Sequence, residues 1–304
     1  MVIQTVPDWV SINGGLGLSV WNRSLVRKFN AGTCLREICD TSGEKQLTAG
    51  GVELIYNVVP TLTVRNHVQG SPLVYERKLP TKVTLTPDIV KYIAFTENDI
   101  DKVQSFDKKY SQELMDQNMP VLKASVEEEV FAGVIADVDA ANTGIAAGHK
   151  SASLNLGSPD SPITITKDTI LPLFTRMEAA LREWDIPVDG NQFAVVDNVG
   201  AAFLKQSELA DASYTGDGKS ILLNGRMDRP VSNLRPYFAN SNYRDGDVVA
   251  WYFGHKRGTG YCVQWQKIEP LRDKDTIETY WRSFFLCGYK VLLPQYVGVA
   301  YVTY

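Results

Sequence analysis

Histidine occurs only three times in the 304 residues, at His67, His149 and His255, and cysteine four times, at Cys34, Cys39, Cys262 and Cys287. None of them shows His-x-x-x-His or Cys-x-x-Cys spacing, which removes the common zinc patterns. Cysteines so sparse and irregular do not make a disulfide framework, so reduced structural thiols in a cytosolic setting are expected. Long apolar runs are missing too: nothing approaches the ~18 residues of a membrane span. The start, MVIQTVPDWV, lacks the basic-then-apolar order of a secretory signal. With a formal charge of -4 there is no whole-chain footprint for nucleic acid, so any such contact must be local. No internal repeat or low-complexity segment is visible. What remains is globular composition, 44% hydrophobic and 22% charged. The chain is long enough for one elaborate domain or two ordinary ones.

The strongest local signal lies in residues 106–139. Leu122, Val126, Val130, Val134 and Val138 recur every four residues, flanked by Phe131 and Ile135, which places them on one face of a long helix. Lys123, Glu127, Glu128 and Asp137 fall elsewhere, and a kink or restart is expected at Pro120. An ordinary core helix accounts for this segment on its own.

Before the helix, residues 1–48 suit a compact core poorly. Trp9, Trp21 and Phe29 sit among polar and basic residues, and Gly14, Gly15 and Gly17 interrupt any regular element, so an extended arm anchored by isolated aromatics is expected. Residues 50–95 alternate as strands, with Val52, Leu54, Tyr56 and Val58 followed by Leu62 and Val64. A turn over 66–72 leads back through Val83 and Leu85, and 90–95 forms a further strand. Thr96 and Asp99 offer a capping box. A hairpin this long cannot bury both faces within its own chain, so it lies on a partner or is an exposed edge.

After the long helix, 140–161 reads as a loop. A second helix over 166–184 carries Ile170, Leu173, Phe174, Met177, Leu181 and Trp184 on one face. Residues 193–196 read as a buried strand, Asp197 or Asn198 as the cap of the next helix, and Phe203 and Leu204 as its packing face. Strands are expected over 235–239 and 248–253. Sixteen of the 31 aromatic residues lie in the last 70 positions, which argues that this segment closes a core or an interface.

Catalytic signals are thin. The 216–220 run, GDGKS, lacks the first glycine of a phosphate-binding loop and follows a helix, so an exposed lysine turn is expected. Asn242, Asp245 and Asp247 are unevenly spaced for calcium and lack its terminal glutamate. Glu127, Glu128 and Glu129 point three ways around a helix and read as a solvated face. Ser111, Ser125 and Ser283 have no nucleophile elbow. His255, Lys256 and Arg257 form a short basic cluster that reads as a solvated hairpin tip. No enzyme activity and no cofactor is expected.

The order of parts and several phrases resemble the major capsid proteins of tailed bacteriophages, the Hong Kong 97-type fold. The matching stretches are 83–104 (VTLTPDIVKYIAFTENDIDKVQ), the long helix, 186–204 (IPVDGNQFAVVDNVGAAFL), Asn224-Gly225 with 238–242 (FANSN), and 268–299, where Glu269 and Arg272 precede Gly288 to Pro294. The run 226–235 (RMDRPVSNLR) departs from the family's small, glycine-rich approach to the inner strand. The resemblance implies an α+β fold with an N-terminal arm (1–48), an extended E-loop hairpin with peripheral-domain strands (49–96), a peripheral domain with a spine helix (97–165), an axial domain (166–250) and C-terminal closing strands (251–304).

It further implies a coat protein that self-assembles, as pentamers and hexamers, into the icosahedral head shell around a double-stranded DNA genome. Assembly is then expected in the bacterial host cytoplasm and residence in the virion, without a membrane. Trp9 and Trp21 of the arm, and Arg65, His67, Arg77 and Lys78 of the hairpin, are the side chains expected to meet neighbouring subunits. DNA would be met by scattered Lys and Arg without base readout, and portal, scaffolding and decoration proteins are further partners the resemblance allows. An encapsulin-type shell enclosing an enzyme, or a soluble enzyme with an unrecognised site, are the alternatives.

Overall fold

The computed structural model describes residues 32–48, 51–100, 110–207, 230–274 and 276–304. Most of the expected arm, with Trp9, Trp21 and the glycine cluster, lies outside the described residues, as do the 216–220 run and Asn224-Gly225.

Two short helices, α1 (Leu35–Ile38) and α2 (Glu44–Thr48), precede the antiparallel pair β1 (Leu54–Val58) and β2 (Thr81–Leu85). Then come β3 (Ile89–Asn98), the long helix α3 (Tyr110–Val134) and the short strand β4 (Ile163–Thr164). Helix α4 (Ile170–Glu183), strand β5 (Gln192–Val196), helix α5 (Asn198–Gln206) and strands β6 (Arg235–Phe238) and β7 (Arg244–Asp245) follow. The chain closes through β8 (Val248–His255), β9 (Thr259–Arg272), β10 (Glu278–Val291) and β11 (Val297–Thr303). Strands β3, β10 and β9 make an antiparallel sheet in that order. A mixed sheet has the order β4-β11-β8-β5-β6, with β7 beside β8.

The four-residue spacing of α3 has the expected result. Leu122, Val126, Val130, Phe131 and Val134 are buried, and Ile135 and Val138 pack at the margin. This stripe shares one core with Ile89, Phe285 and Val291 of the first sheet and with Phe193, Val195, Tyr252, Val297 and Val299 of the second. The helix is therefore the element against which both sheets rest. At roughly 1.5–3 kcal/mol per buried side chain, its five fully buried stripe residues contribute on the order of 10 kcal/mol before ordering entropy is subtracted. No restart occurs at Pro120: the helix runs unbroken through it.

The second sheet is apolar on both faces, because alternate residues serve different cores. Phe193, Val195 and Tyr252 face α3, whereas Ala194, Val196, Trp251 and Phe253 face α4 and α5. Helix α4 presents Ile170, Leu173, Phe174, Met177 and Leu181 to that second core, as the periodicity requires, with Trp184 half-buried at its end. Asp197 is the residue that caps α5, accepting the Gly200 amide at 3.3 Å. Gly200 lets α5 come close to the sheet, since a Cβ there would overlap the Trp251 indole.

Three sequence expectations are corrected. Glu127 is not solvated: it is 2% exposed, accepts the Cys34 amide at 2.7 Å and is hydrogen-bonded by the Ser241 hydroxyl. It ties the entry of α1 and the loop after β6 to the helix, and partners 93 and 114 residues distant leave no local trace. The expected capping box at Thr96 does not form, because Thr96 is still in β3; Asn98 accepts the Ile100 amide instead, at 2.9 Å. His255 is not at a solvated tip. It is buried, 3.1 Å from both Asp189 carboxylate oxygens, and accepts the Arg257 amide at 3.2 Å.

Burial pushes the Asp189 carboxyl up, yet hydrogen bonds from the Asn191 side chain and backbone and the His255 pair together outweigh it and hold the group at about 2. A depressed folded pKa gives stability that is present above the ordinary Asp range and lost as pH falls from about 4 toward 2. Asp189→Asn is therefore expected to flatten the decline of melting temperature across that interval. An unchanged slope in a pH series of thermal melts would count against the pairing.

Candidate assembly surface

Between β1 and β2 the chain leaves the body. Residues 59–80 form no ladder, although the alternation at Leu62 and Val64 predicts a strand. The excursion is held across its width by a few polar contacts. Arg65 Nη2 donates to Glu76 at 2.6 Å, the Thr63 amide donates to Glu76 at 3.3 Å, and Lys78 Nζ donates to the Thr61 carbonyl at 2.7 Å. At the tip, the Ser71 amide donates to the Val68 carbonyl at 3.0 Å, with Gly70 at φ 90°. That positive φ favours a residue without a Cβ.

The exposed side chains are the notable part. Val59, Leu62, Val64, Val68, Leu73, Val74, Tyr75 and Leu79 all face solvent, Val64 at 95% and Tyr75 at 87%. Scattered surface apolars are ordinary, but eight within 22 residues of an extended loop make a concentrated apolar surface that the molecule's own cores leave uncovered. A second apolar area lies on the sheet face turned away from α3, where Val90 and Tyr92 of β3 are exposed. Tyr92 stands beside Phe284, whose ring lies under the Arg282 guanidinium. Arg282 in turn pairs with Glu269.

Of the residues expected to meet neighbours, Arg65 and Lys78 are brought together around Glu76, the latter at 3.4 Å. Their first task is thus to brace the hairpin. His67 and Arg77 are exposed near the tip and on the returning limb, and Trp9 and Trp21 lie outside the described residues. Glu76 is the member the sequence reading missed. Its carboxyl is held below the usual range chiefly by the Arg65 hydrogen bond. Its only sequence signal was its place opposite Arg65 across the predicted turn.

Burial pushes up all four thiols, Cys262 to about 11 and Cys287 to about 12, so they are protonated at neutral pH. The Ser283 hydroxyl meets the Met119 sulfur at 3.2 Å, and His149 stacks on Trp184 at 3.7 Å. Among the described residues no cluster of His, Cys, Asp and Glu is placed to hold a metal ion. No described helix is long and apolar enough to cross a membrane.

No protein-family model and no curated protein matches the sequence. Solved structures do match. One from Mycobacterium phage Che8 aligns over 93% of this chain and 96% of its own, at 21% identity and TM-score 0.71. The capsid of cyanophage P-SCSP1u aligns over 95% and 93% at 15% identity and TM-score 0.65. The mature capsid of bacteriophage PhiM1 aligns over 95% and 92% at 14% identity and TM-score 0.64. The chain has the phage-capsid fold. Coverage above nine-tenths on both sides means that the likeness is to the whole fold and not to one part of it. At such identities most side chains differ while the fold is kept.

Proposed function

We propose that this chain is the major capsid protein of a tailed phage, assembling into an icosahedral shell around double-stranded DNA. The observation that carries the reading is the hairpin. Eight large apolar side chains are held away from the molecule's own core by a braced loop, which has a purpose only if a neighbouring copy covers them. The capsid fold supports the same reading. Residues 1–48 and 49–96 then act as arm and E-loop between copies, 97–165 as the peripheral domain, 166–250 as the axial domain and 251–304 as the strands that close both. The work of the protein is association, with DNA met through scattered cations and portal, scaffolding and decoration proteins as further partners. Such a shell would form in the host cytoplasm and end in the virion.

Expression of the whole chain followed by sedimentation and electron microscopy tests this. Closed, uniform particles are expected, and nuclease-protected DNA in particles from infected cells. A stable monomer at high concentration, with the backbone amides of 59–80 protected from exchange, would overturn it.

A further inference from the structure

The mixed sheet carries opposite charge at its two ends. At the end where β5 and β6 begin, a cavity of about 350 Å³ is lined by Arg36, Arg235 and Lys256, with Glu37 hydrogen-bonded to Tyr237. Arg36 is engaged by Glu44, whereas Arg235 lies over the Tyr237 ring at 5.6 Å. Neither Arg235 nor Lys256 forms an ion pair with another described residue. Gln192, 1% exposed, forms part of the wall; its amide nitrogen donates to the Pro187 carbonyl at 3.3 Å, while its Oε1 has no donor among the described residues. At the other end of the sheet, the turn joining β7 to β8 exposes Asp245 and Asp247 around Gly246 at φ 59°. Neither aspartate has an ion-pair partner among the described residues. The eight residues of β8 separate turn and cavity by about 26 Å, so no copy can satisfy its own.

We infer that the Asp245–Asp247 turn of one copy seats in the Arg235–Lys256 cavity of the next. The two aspartates meet the two unpaired cations, and a backbone N–H of the entering turn is the donor that Gln192 Oε1 lacks. That requirement favours a peptide over a DNA phosphate, which has no N–H to give. Each copy contributes one turn and one cavity, so the contact is head-to-tail and closes into a ring when repeated around an axis. It deepens the shell reading and rests on it for the closure of rings into a particle.

Charge reversal tests the contact. D245K/D247K and K256E each alter only exposed or cavity-lining side chains, and unchanged melting temperatures will show that the subunits remain folded. Each variant is expected to raise the concentration needed for assembly about tenfold, as loss of close charge pairs does at other interfaces. D245K/D247K/K256E in one chain is expected to recover most of the loss. Equal assembly by all variants, or additive losses in the combined one, would overturn the proposal. So would normal empty-particle assembly by K256E accompanied by lost DNA retention, since the cavity would then be a phosphate site. Mixing D245K/D247K with K256E in sedimentation velocity reads the contact even if no shell forms. Association of the mixture beyond either variant alone supports it, and a species stopping at two subunits overturns the ring.

Discussion

Replacing Leu62, Val64, Leu73 and Val74 together by serine will leave the subunit folded and abolish particle formation. All four are exposed in the isolated chain, so their loss removes nothing from its own cores. Covered by a neighbour, each is worth roughly 1.5–3 kcal/mol of transfer free energy, or on the order of 6–12 kcal/mol per subunit gross. Lost translational freedom and loop ordering offset part of that. Even a residual 3 kcal/mol per contact, estimated on that basis, moves the assembly threshold by more than about a hundredfold. Sedimentation would read the assembly, and thermal unfolding of the unassembled chain should stay within about 2 °C of the parent, since surface substitutions change stability little. Particles at an unchanged threshold would sink the idea that these side chains are interface.

Asp197→Ala carries the largest expected effect on the fold itself. The carboxylate is fully buried and serves four elements at once. It caps α5, accepts the Trp251 indole N–H at 3.1 Å and Arg244 Nη2 at 3.1 Å, and is hydrogen-bonded by the Tyr304 phenol. Burial, and after it Asp197, pushes the Tyr304 phenol up, so it remains a donor throughout the physiological range. Removing the carboxylate strands the buried Trp251 indole, takes an acceptor from the exposed Tyr304 phenol and deletes a helix cap. A loss of about 2–4 kcal/mol is expected, the sum of one buried donor left without its acceptor and one lost cap, since the half-exposed Arg244 can turn to water. Asp197→Asn keeps an acceptor for the cap and should lose roughly half as much. Denaturant unfolding checks both, and a loss below about 1 kcal/mol for the alanine variant would contradict the hub.

The legible parts of the chain share a physical basis. The α3 stripe and the α4 face were readable because periodicity records which side of an element is dry, and β5 because a short unbroken apolar run records burial on both faces. Asp197 could be narrowed to a cap from its place before a helix, though its three other partners could not. Glu127 shows where this reasoning ends. One acid in a run of three looks solvated, and only the arrival of Cys34 and Ser241 from distant segments makes the site polar enough to hold it. His255 is misread for the same reason, because Asp189 lies 66 residues away.

The hairpin divides the two sources of information most clearly. Alternating apolar residues around a turn established from sequence that a long excursion exists and that its own chain has no room to cover it. The residues also carried the spacing that makes α3 a helix with one dry side. What only the tertiary structure decided is which surfaces stay uncovered once both sheets have closed on α3, and that the excursion forms no ladder. Local sequence sets how each segment prefers to fold. Which groups meet across a hundred residues depends on how the segments pack.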